Sequence, residues 1–170
     1  MSAREAPPKP RRPVEPFDRL RWIAIVVSLV ALGLGSALPT GDFVDSHGAP
    51  VSWQGIAFLA CGWFGPVLGA PVCGWYANPM LMLAWLLLAL RRYRGATIVA
   101  CIGLVLAASS LWLFDVEVMQ NEGGVNNLRL RGFSAGFYVW WVALLAPVGF
   151  SIAGWVRDRR FVRGPLPDGR

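Results

Sequence analysis

Residues 51–90 read VSWQGIAFLACGWFGPVLGAPVCGWYANPMLMLAWLLLAL, and these forty positions carry no charged side chain. Proline follows glycine, alanine or asparagine and interrupts the stretch at 65–66, 70–71 and 78–79. A helix needs about 20 mostly apolar residues to cross a hydrocarbon core of about 30 Å, so the stretch is long enough for one or two crossings. The number of crossings decides the fold and the side of the membrane on which every later segment lies.

Three further stretches could each cross a membrane alone. Residues 22–38, 97–114 and 133–155 contain no charged side chain. Over all 170 residues, 55% are hydrophobic and 15% are charged, whereas a soluble domain carries about 25% charged residues. The composition therefore excludes a soluble globular enzyme and indicates a small polytopic membrane protein.

Loop charge favours a single crossing within the uncharged stretch. With one crossing, fourteen basic residues share one side of the membrane, namely six before residue 22, three at 91–94 and five after residue 156. Only Arg129 and Arg131 then lie opposite. Because basic residues collect in cytoplasmic loops, the sequence predicts four spans in the bacterial inner membrane with both termini cytoplasmic.

The predicted fold class is an all-α integral membrane bundle of four transmembrane helices. Its parts are a basic, proline-rich cytoplasmic tail at 1–21, a membrane domain at 22–156 and a basic cytoplasmic tail at 157–170. We predict the second span at 71–90, with a kink at Pro79. The alternative is a helix with Asn78 as N-cap, which leaves twelve residues before Arg91 and covers only about 18 Å.

The first part of the uncharged stretch is predicted as a short helix outside the four spans. Residues 52–67 would form a helix about 24 Å long. That length and the glycine-proline boundaries suit an interfacial or re-entrant element better than a full crossing.

The loop between the third and fourth spans has the pattern of a small periplasmic β-hairpin. Apolar and charged residues alternate at 116–118 and 128–131, with Gly-Gly and Asn-Asn pairs between them. Glu117 could pair across the hairpin with Arg129 or Arg131. Because an isolated two-stranded hairpin is marginal in water, we expect it to lean on the uncharged stretch or on another subunit.

Small residues recur at helical spacing in two spans and predict close helix packing, since small side chains let helix backbones approach in lipid. The predicted helix-packing residues are Ala24, Ser28, Ala31 and Gly35 in the first span and Ala100, Gly103, Ala107 and Ser110 in the third. We call these two sets the first and third seams. We expect a compact bundle in which the two seams contact each other.

Aromatic residues concentrate toward the periplasmic side, where they form an interfacial belt or wall a groove for a lipid, a quinone or a partner helix. The candidate groove or partner-contact residues are Trp63, Trp75, Asn78, Pro79, Trp140 and Trp141. Asn78 beside Pro79 is either a ligand-binding amide in a helix break or an amide that caps its own kink.

Other chemistry finds little support in the sequence. The chain has one histidine, so bis-imidazole haem is excluded, and no catalytic motif is present. Asp42, Asp45 and His47 form either a weak metal site or a solvated acidic loop. Cys61 and Cys73 could form a disulfide, although apolar free cysteines are the preferred interpretation. We therefore predict no catalytic residue, no cofactor and no metal, and no nucleic-acid partner for the basic tails.

The segment Gly74-Trp75-Tyr76-Ala77-Asn78-Pro79, with the Leu-rich span and arginine turn that follow it, resembles small four-span bacterial inner-membrane proteins of uncharacterised activity. The aromatic start of the last span, at 137–140, is part of the same likeness. The resemblance covers about half of the chain, 62–143, and implies four spans and an inner-membrane location. It implies no activity.

The resulting hypothesis is a non-catalytic accessory or assembly subunit of a larger membrane complex, with membrane lipids and the helices of other membrane proteins as partners. The alternative is an oligomeric transporter, channel or lipid-handling protein, with Asn78 lining a shared path. A lipid-modifying enzyme that uses Asp42, His47 or Glu117 is the third and weakest hypothesis.

Overall fold

The structure is a computed structural model that describes residues 16–64, 73–115, 117–119 and 127–162. Its helices are α1 (Pro16–Ala37), α2 (Gly55–Cys61), α3 (Ala77–Ala89), α4 (Tyr93–Ala108) and α5 (Ala135–Val162), and its strands are β1 (Pro39–Val44), β2 (Pro50–Gln54), β3 (Glu117–Met119) and β4 (Asn127–Phe133). Short 3-10 turns precede α3 at Gly74–Tyr76 and extend α4 at Ser109–Asp115. The tails at 1–15 and 163–170 lie outside the described residues.

Three of the described helical segments are long and apolar enough to cross a membrane. They are Phe17–Ala37, Tyr93–Asp115 and Ala135–Arg159. Large apolar side chains face outward, and Val105 and Met82 are 73% and 61% exposed. These helices therefore have the length and the apolar outer surface of an integral membrane protein, as the composition predicts.

The predicted second span differs from the structure at its start. The apolar helical segment is Gly74–Ala89, and the α-helix begins at Ala77, so Pro79 lies in its first turn. Proline is accepted there because the first N–H groups of a helix lack an intrahelical partner in any case. The prediction of a mid-helix kink at Pro79 is wrong, and the early start at 71 lies outside the described residues.

Helix α5 is the centre of the bundle. It packs along α1 and α4 and also contacts α3, while α3 and α4 form an antiparallel pair. The two seams do not pack along each other, contrary to the expectation from the sequence. The first seam faces α5, since a Cβ on Gly35 would lie 3.0 Å from the Gly136 carbonyl oxygen. The third seam faces α3 and α5, where Gly103 adjoins Met80.

A four-stranded antiparallel sheet closes one end of the bundle, with strand order β2-β1-β4-β3. The predicted pairing between β3 and β4 is present, with Glu117 opposite Arg129, while the connection at 120–126 lies outside the described residues. The pair leans on β1, which the sequence analysis did not predict. Phe43, Leu128 and Leu130 form the buried core of this sheet.

The predicted helix at 52–67 is partly wrong. Residues 50–54 are strand β2, and only Gly55–Cys61 is α-helical, followed by a 3-10 turn at Gly62–Phe64. The strand forms because β1 offers a paired edge, with Asp42 opposite Ser52 and Phe43 opposite Val51. The uncharged stretch therefore begins in the sheet and not in an interfacial helix.

The opposite end of the bundle gathers arginines, and we call it the basic end. Arg91, in the turn between α3 and α4, places Nη2 2.7 Å from Asp18 Oδ2 in the first turn of α1. The guanidinium carbon of Arg157 in α5 lies 4.7 Å from the ring centre of Phe17. These contacts bring the start of α1, the α3–α4 turn and the C-terminal part of α5 together, so α3 runs once from the sheet to the basic end.

Two helices extend beyond the predicted spans. Helix α1 begins at Pro16, before the predicted tail boundary at 21, and Phe133 belongs to β4 rather than to the last helix. Helix α5 continues to Val162, beyond the predicted end of the span at 155. Both extensions contain charged residues, whose long side chains can place the charge beyond the apolar segment.

Candidate ligand-binding cavity

A cavity of about 100 Å³ lies between the helix bundle and the sheet. Its walls come from α1, α2, the start of α3 with its preceding turn, the 3-10 turn after α4, the N-terminal part of α5 and strands β1 and β4. Apolar and aromatic side chains dominate, and they include Leu32, Phe43, Phe58, Leu59, Leu113, Leu130, Phe133 and Phe137. The cavity is therefore chemically suited to an apolar guest.

Glycines allow the walls to approach closely. A Cβ on Gly55 would collide with the carbonyl oxygen of Gly35 at the end of α1. A Cβ on Gly62 would lie 2.6 Å from Cδ1 of Trp75, so Gly62 makes room for that indole. The indole N–H of Trp75 then donates to the carbonyl oxygen of Leu59 at 2.8 Å, which fixes α2 against the start of α3.

Asn78 and Trp140 supply the polar contact of the cavity wall. The indole N–H of Trp140 donates to Asn78 Oδ1 at 2.9 Å. Because an indole nitrogen can only donate, this contact determines which way the amide faces. The amide nitrogen of Asn78 makes no hydrogen bond within the described part of the chain. Asn78 therefore keeps two donors for a ligand.

Ser110 adds a second polar group to the same wall. Ser110 is buried and lines the cavity. Its hydroxyl oxygen lies so close to Gly74 that a Cβ on that glycine would collide with it. The hydroxyl group of the neighbouring Ser109 already makes two hydrogen bonds. It accepts from the backbone N–H of Cys73 at 2.9 Å and donates to the Leu106 carbonyl oxygen at 2.7 Å. Ser110 is therefore a further polar residue of the cavity wall, in addition to Asn78, and it differs from Ser109 in its contacts.

The predicted groove residues divide into two groups. Trp75, Asn78 and Trp140 line the cavity together. Trp63 lies outside it, 45% exposed, and its indole N–H donates to the Ala60 carbonyl oxygen. Trp141 packs edge-on against Trp140, with ring centres 6.1 Å apart. Pro79 lies in the first turn of α3 and outside the cavity wall.

Sequence reasoning missed the contribution of the sheet to this site. Phe43 and Leu130 reach the cavity because β1 pairs with β4. The turn residues at 45–48, which follow Phe43 and Val44, were a usable sequence signal for the end of β1. Its short length and its position directly after a predicted span masked that signal.

The predicted packing residues lie inside the bundle, apart from Ala24, which is half-buried. The buried ones are Ser28, Ala31, Gly35, Ala100, Gly103, Ala107 and Ser110. Ala31 and Ala107 reach one central apolar cluster with Leu81 and Leu144. The two seams thus share a core, although each packs along a different helix.

The acidic loop near His47 is a backbone turn. Asp45 Oδ1 accepts the backbone N–H groups of His47 and Ala49 at 2.9 and 2.7 Å, and Gly48 adopts a positive φ of 82°. Asp42 accepts instead from the Ser134 hydroxyl. Within the described ranges no group of three or more metal-ligating side chains occurs.

The three cysteines, Cys61, Cys73 and Cys101, are free in the structure. Cys61 and Cys73 lie on opposite sides of the gap at 65–72 in the described chain. Cys61 and Cys101 are exposed on the surface of the molecule, and Cys73 is half-buried. The structure therefore does not pair Cys61 with Cys73.

No family model matches the chain, and no curated protein or solved structure is similar to it. The resemblance to four-span inner-membrane proteins stays a prediction. What the protein does is therefore inferred from its own residues, above all from the cavity and the two ends of the bundle.

Proposed function

We propose that this chain is a non-catalytic integral membrane protein that binds a lipid-like molecule in the cavity between its helices and its sheet. The observation that carries the proposal is an apolar cavity whose wall includes Asn78. Trp140 holds this amide by its oxygen, and the amide nitrogen donates to no group in the described part of the chain. An apolar body with an acceptor oxygen, such as an acyl ester or a ring carbonyl, complements those groups.

The size of the cavity limits what it holds. Pockets that enclose a whole drug-sized ligand measure about 300–1,000 Å³, whereas this cavity measures about 100 Å³. It holds one part of a larger molecule, and the rest of that molecule lies along the outer surface. A membrane lipid or a quinone satisfies this condition, since each has a long apolar chain that can remain in the bilayer.

The position of the cavity fits a ligand supplied by the membrane. It lies at the sheet end of the apolar helices, next to exposed rings such as Trp112 and Tyr138, which are 59% and 62% exposed. Tryptophan and tyrosine collect where the apolar core of a bilayer meets its headgroups. Ester and carbonyl groups of lipids lie at the same depth, so Asn78 would meet them there.

The same proposal includes four crossings of the bacterial inner membrane with the basic end in the cytoplasm. It is supported by the single passage of α3 between the ends of the bundle and by the arginines at the basic end. Helix α3 with its preceding turn is 16 residues, about 24 Å. Long α1, α4 and α5 flank it, and a slightly short helix is tolerated by local thinning of the bilayer.

Native mass spectrometry of the full chain, extracted in mild detergent, tests the proposed function. The wild-type protein should retain a lipid or quinone, and Asn78→Leu should lose most of it because the amide donors are gone. Asn127→Leu makes the same substitution on the sheet, where the amide contacts Glu117, and should retain the ligand. Equal ligand content in all three proteins would refute cavity binding.

An accessory subunit is the second candidate function, and one surface favours it. Phe114 and Tyr138 expose their rings at the sheet end. They connect through half-buried Phe133 and buried Phe137, with successive ring centres 5.1, 3.7 and 5.7 Å apart. Aromatic residues are enriched in protein interfaces as well as in lipid headgroup regions. The same mass spectra test this second function. A foreign subunit in fixed stoichiometry supports it, and a chain without protein partners contradicts it.

A further inference from the structure

Arg21 is a buried arginine at the basic end of the bundle. The residue is 5% exposed, and its Nε and Nη1 atoms have no hydrogen-bond acceptor in the described part of the chain. A buried charge without hydrogen bonds is costly, and native structures compensate it with a partner, an ion or a ligand. The question is which group compensates Arg21.

Asp18 provides only partial compensation. Its Oδ1 lies 3.8 Å from Arg21 Nη1, beyond hydrogen-bond range. Its Oδ2 lies 2.7 Å from Arg91 Nη2, which is a short charge-assisted hydrogen bond. The Asp18 carboxylate thus hydrogen-bonds to Arg91 and makes only a longer, weaker ion pair with Arg21.

The surroundings of Arg21 add positive charge and aromatic faces. The guanidinium carbon of Arg21 lies 5.2 Å from the ring centre of Trp22. Arg157 and Arg159 of α5 lie over aromatic rings at 4.7 and 4.4 Å. Among the described residues, Arg21, Arg91, Arg157 and Arg159 lie at the basic end with the carboxylates of Asp18 and Asp158, so a negative ligand is attracted to it.

We propose that Arg21 and Arg91 form a phosphate-binding site at the basic end. Both guanidinium groups already lie within 4 Å of the Asp18 carboxylate, so one oxyanion can contact both, and the phosphate binds in place of that carboxylate or beside it. Guanidinium groups match phosphate oxygens through paired N–H donors. The ligand reaches Arg21 past Arg91, whose side chain is 63% exposed.

The phosphate belongs either to an anionic phospholipid or to a soluble phosphate compound. Basic pockets between transmembrane helices on the cytoplasmic side recognise lipid head groups. The site is independent of the cavity, which lies at the other end of the bundle. Arg21 variants therefore test this proposal without altering Asn78, and Asn78 variants test the cavity without altering Arg21.

Native mass spectrometry with added lipid tests the first source. The detergent-solubilised full chain should bind phosphatidylglycerol more tightly than phosphatidylcholine. Arg21→Gln should weaken binding of phosphatidylglycerol about tenfold or more, since hydrogen bonds to charged groups are lost. Arg94→Gln changes an exposed arginine near the same end and should leave the affinity within about twofold.

Thermal unfolding in inorganic phosphate tests the second source. If phosphate raises the melting temperature of the wild type and not of Arg21→Gln, while phosphatidylglycerol has no effect, the ligand is soluble and the site stands. If neither ligand shows any dependence on Arg21, the proposal is overturned. The comparison uses chloride at equal ionic strength as its control.

A variant that fails to fold does not prevent the test. The wild-type protein alone should unfold at a higher temperature with phosphatidylglycerol or phosphate than with phosphatidylcholine or chloride. Absence of that difference overturns the proposal without reference to any variant.

Discussion

The hydroxyl group of Ser28 in α1 donates to the carbonyl oxygen of Ala143 in α5. Residue 147 would ordinarily donate its backbone N–H to that carbonyl, but it is a proline within α5 and has no N–H. Trp85 of α3 donates in turn to Ser28 Oγ at 2.9 Å. A fully buried serine thus supplies the hydrogen bond that proline removes and links three helices.

Ser28→Ala is expected to lower the free energy of unfolding by about 1–2 kcal/mol, because the Ala143 carbonyl and the Trp85 indole both lose a partner. The penalty should be smaller in a Pro147→Ala background, where the backbone N–H of residue 147 returns. Unfolding in detergent measures all four proteins of this double-mutant cycle. Ser36→Ala is the control, since within the described residues Ser36 bonds only to Leu32 of its own helix. An equal penalty for Ser28→Ala in both backgrounds would contradict the link.

Gly35→Ala is expected to destabilise the crossing of α1 and α5. The added Cβ would lie 3.0 Å from the Gly136 carbonyl oxygen and 3.1 Å from the Trp140 backbone nitrogen, so the helices must separate. Overpacking of this kind costs about 1–3 kcal/mol. Gly33→Ala is the matched control in the same helix, because its Cβ would meet nothing within 4 Å, and the melting temperatures of the two variants should differ clearly.

Gly62→Ala is expected to distort the cavity without removing a polar group from its wall. The new Cβ would lie 2.6 Å from Cδ1 of Trp75, which moves the indole and weakens its bond to the Leu59 carbonyl. Ligand retention should fall, and tryptophan fluorescence should change. Gly95→Ala should change neither property, since its Cβ would make only an ordinary contact with Leu87 at 3.5 Å.

Asp18→Asn is expected to destabilise the protein more than Arg91→Gln. The asparagine leaves Arg21 and Arg91 close together without a carboxylate between them, and Arg21 is buried. Arg91→Gln removes one partner whose side chain is 63% exposed, and exposed ion pairs contribute about 0–1 kcal/mol. Equal melting temperatures for the two variants would show that Arg21 does not depend on Asp18.

Thiol labelling tests the proposed orientation in the membrane. In a background without the native cysteines, Ser46→Cys on the β1–β2 turn should react with an impermeant reagent added outside intact spheroplasts. Arg92→Cys in the α3–α4 turn should react only after lysis. Both positions are exposed in the structure, so a lack of reaction cannot come from burial, and labelling of both from outside would refute four crossings.

Charge and hydropathy in the sequence determined the membrane class of the chain, its long apolar helices and the β3–β4 pairing. These properties depend on local composition, which is readable without knowledge of the partners of each segment. The small-residue seams were also visible, because helical spacing places their members on one face. What spacing does not reveal is which helix that face meets.

Only the tertiary structure decided that partner choice, the strand at 50–54 and the cavity. Strand β2 exists because β1 pairs with it, and β1 pairs also with β4 from a segment about 90 residues later. Ser28 likewise matters because Pro147, far along the chain, leaves a carbonyl unbonded in α5. A residue's own neighbours in sequence set its local preference, whereas hydrogen bonds and close backbone contacts between distant segments depend on how the whole chain folds.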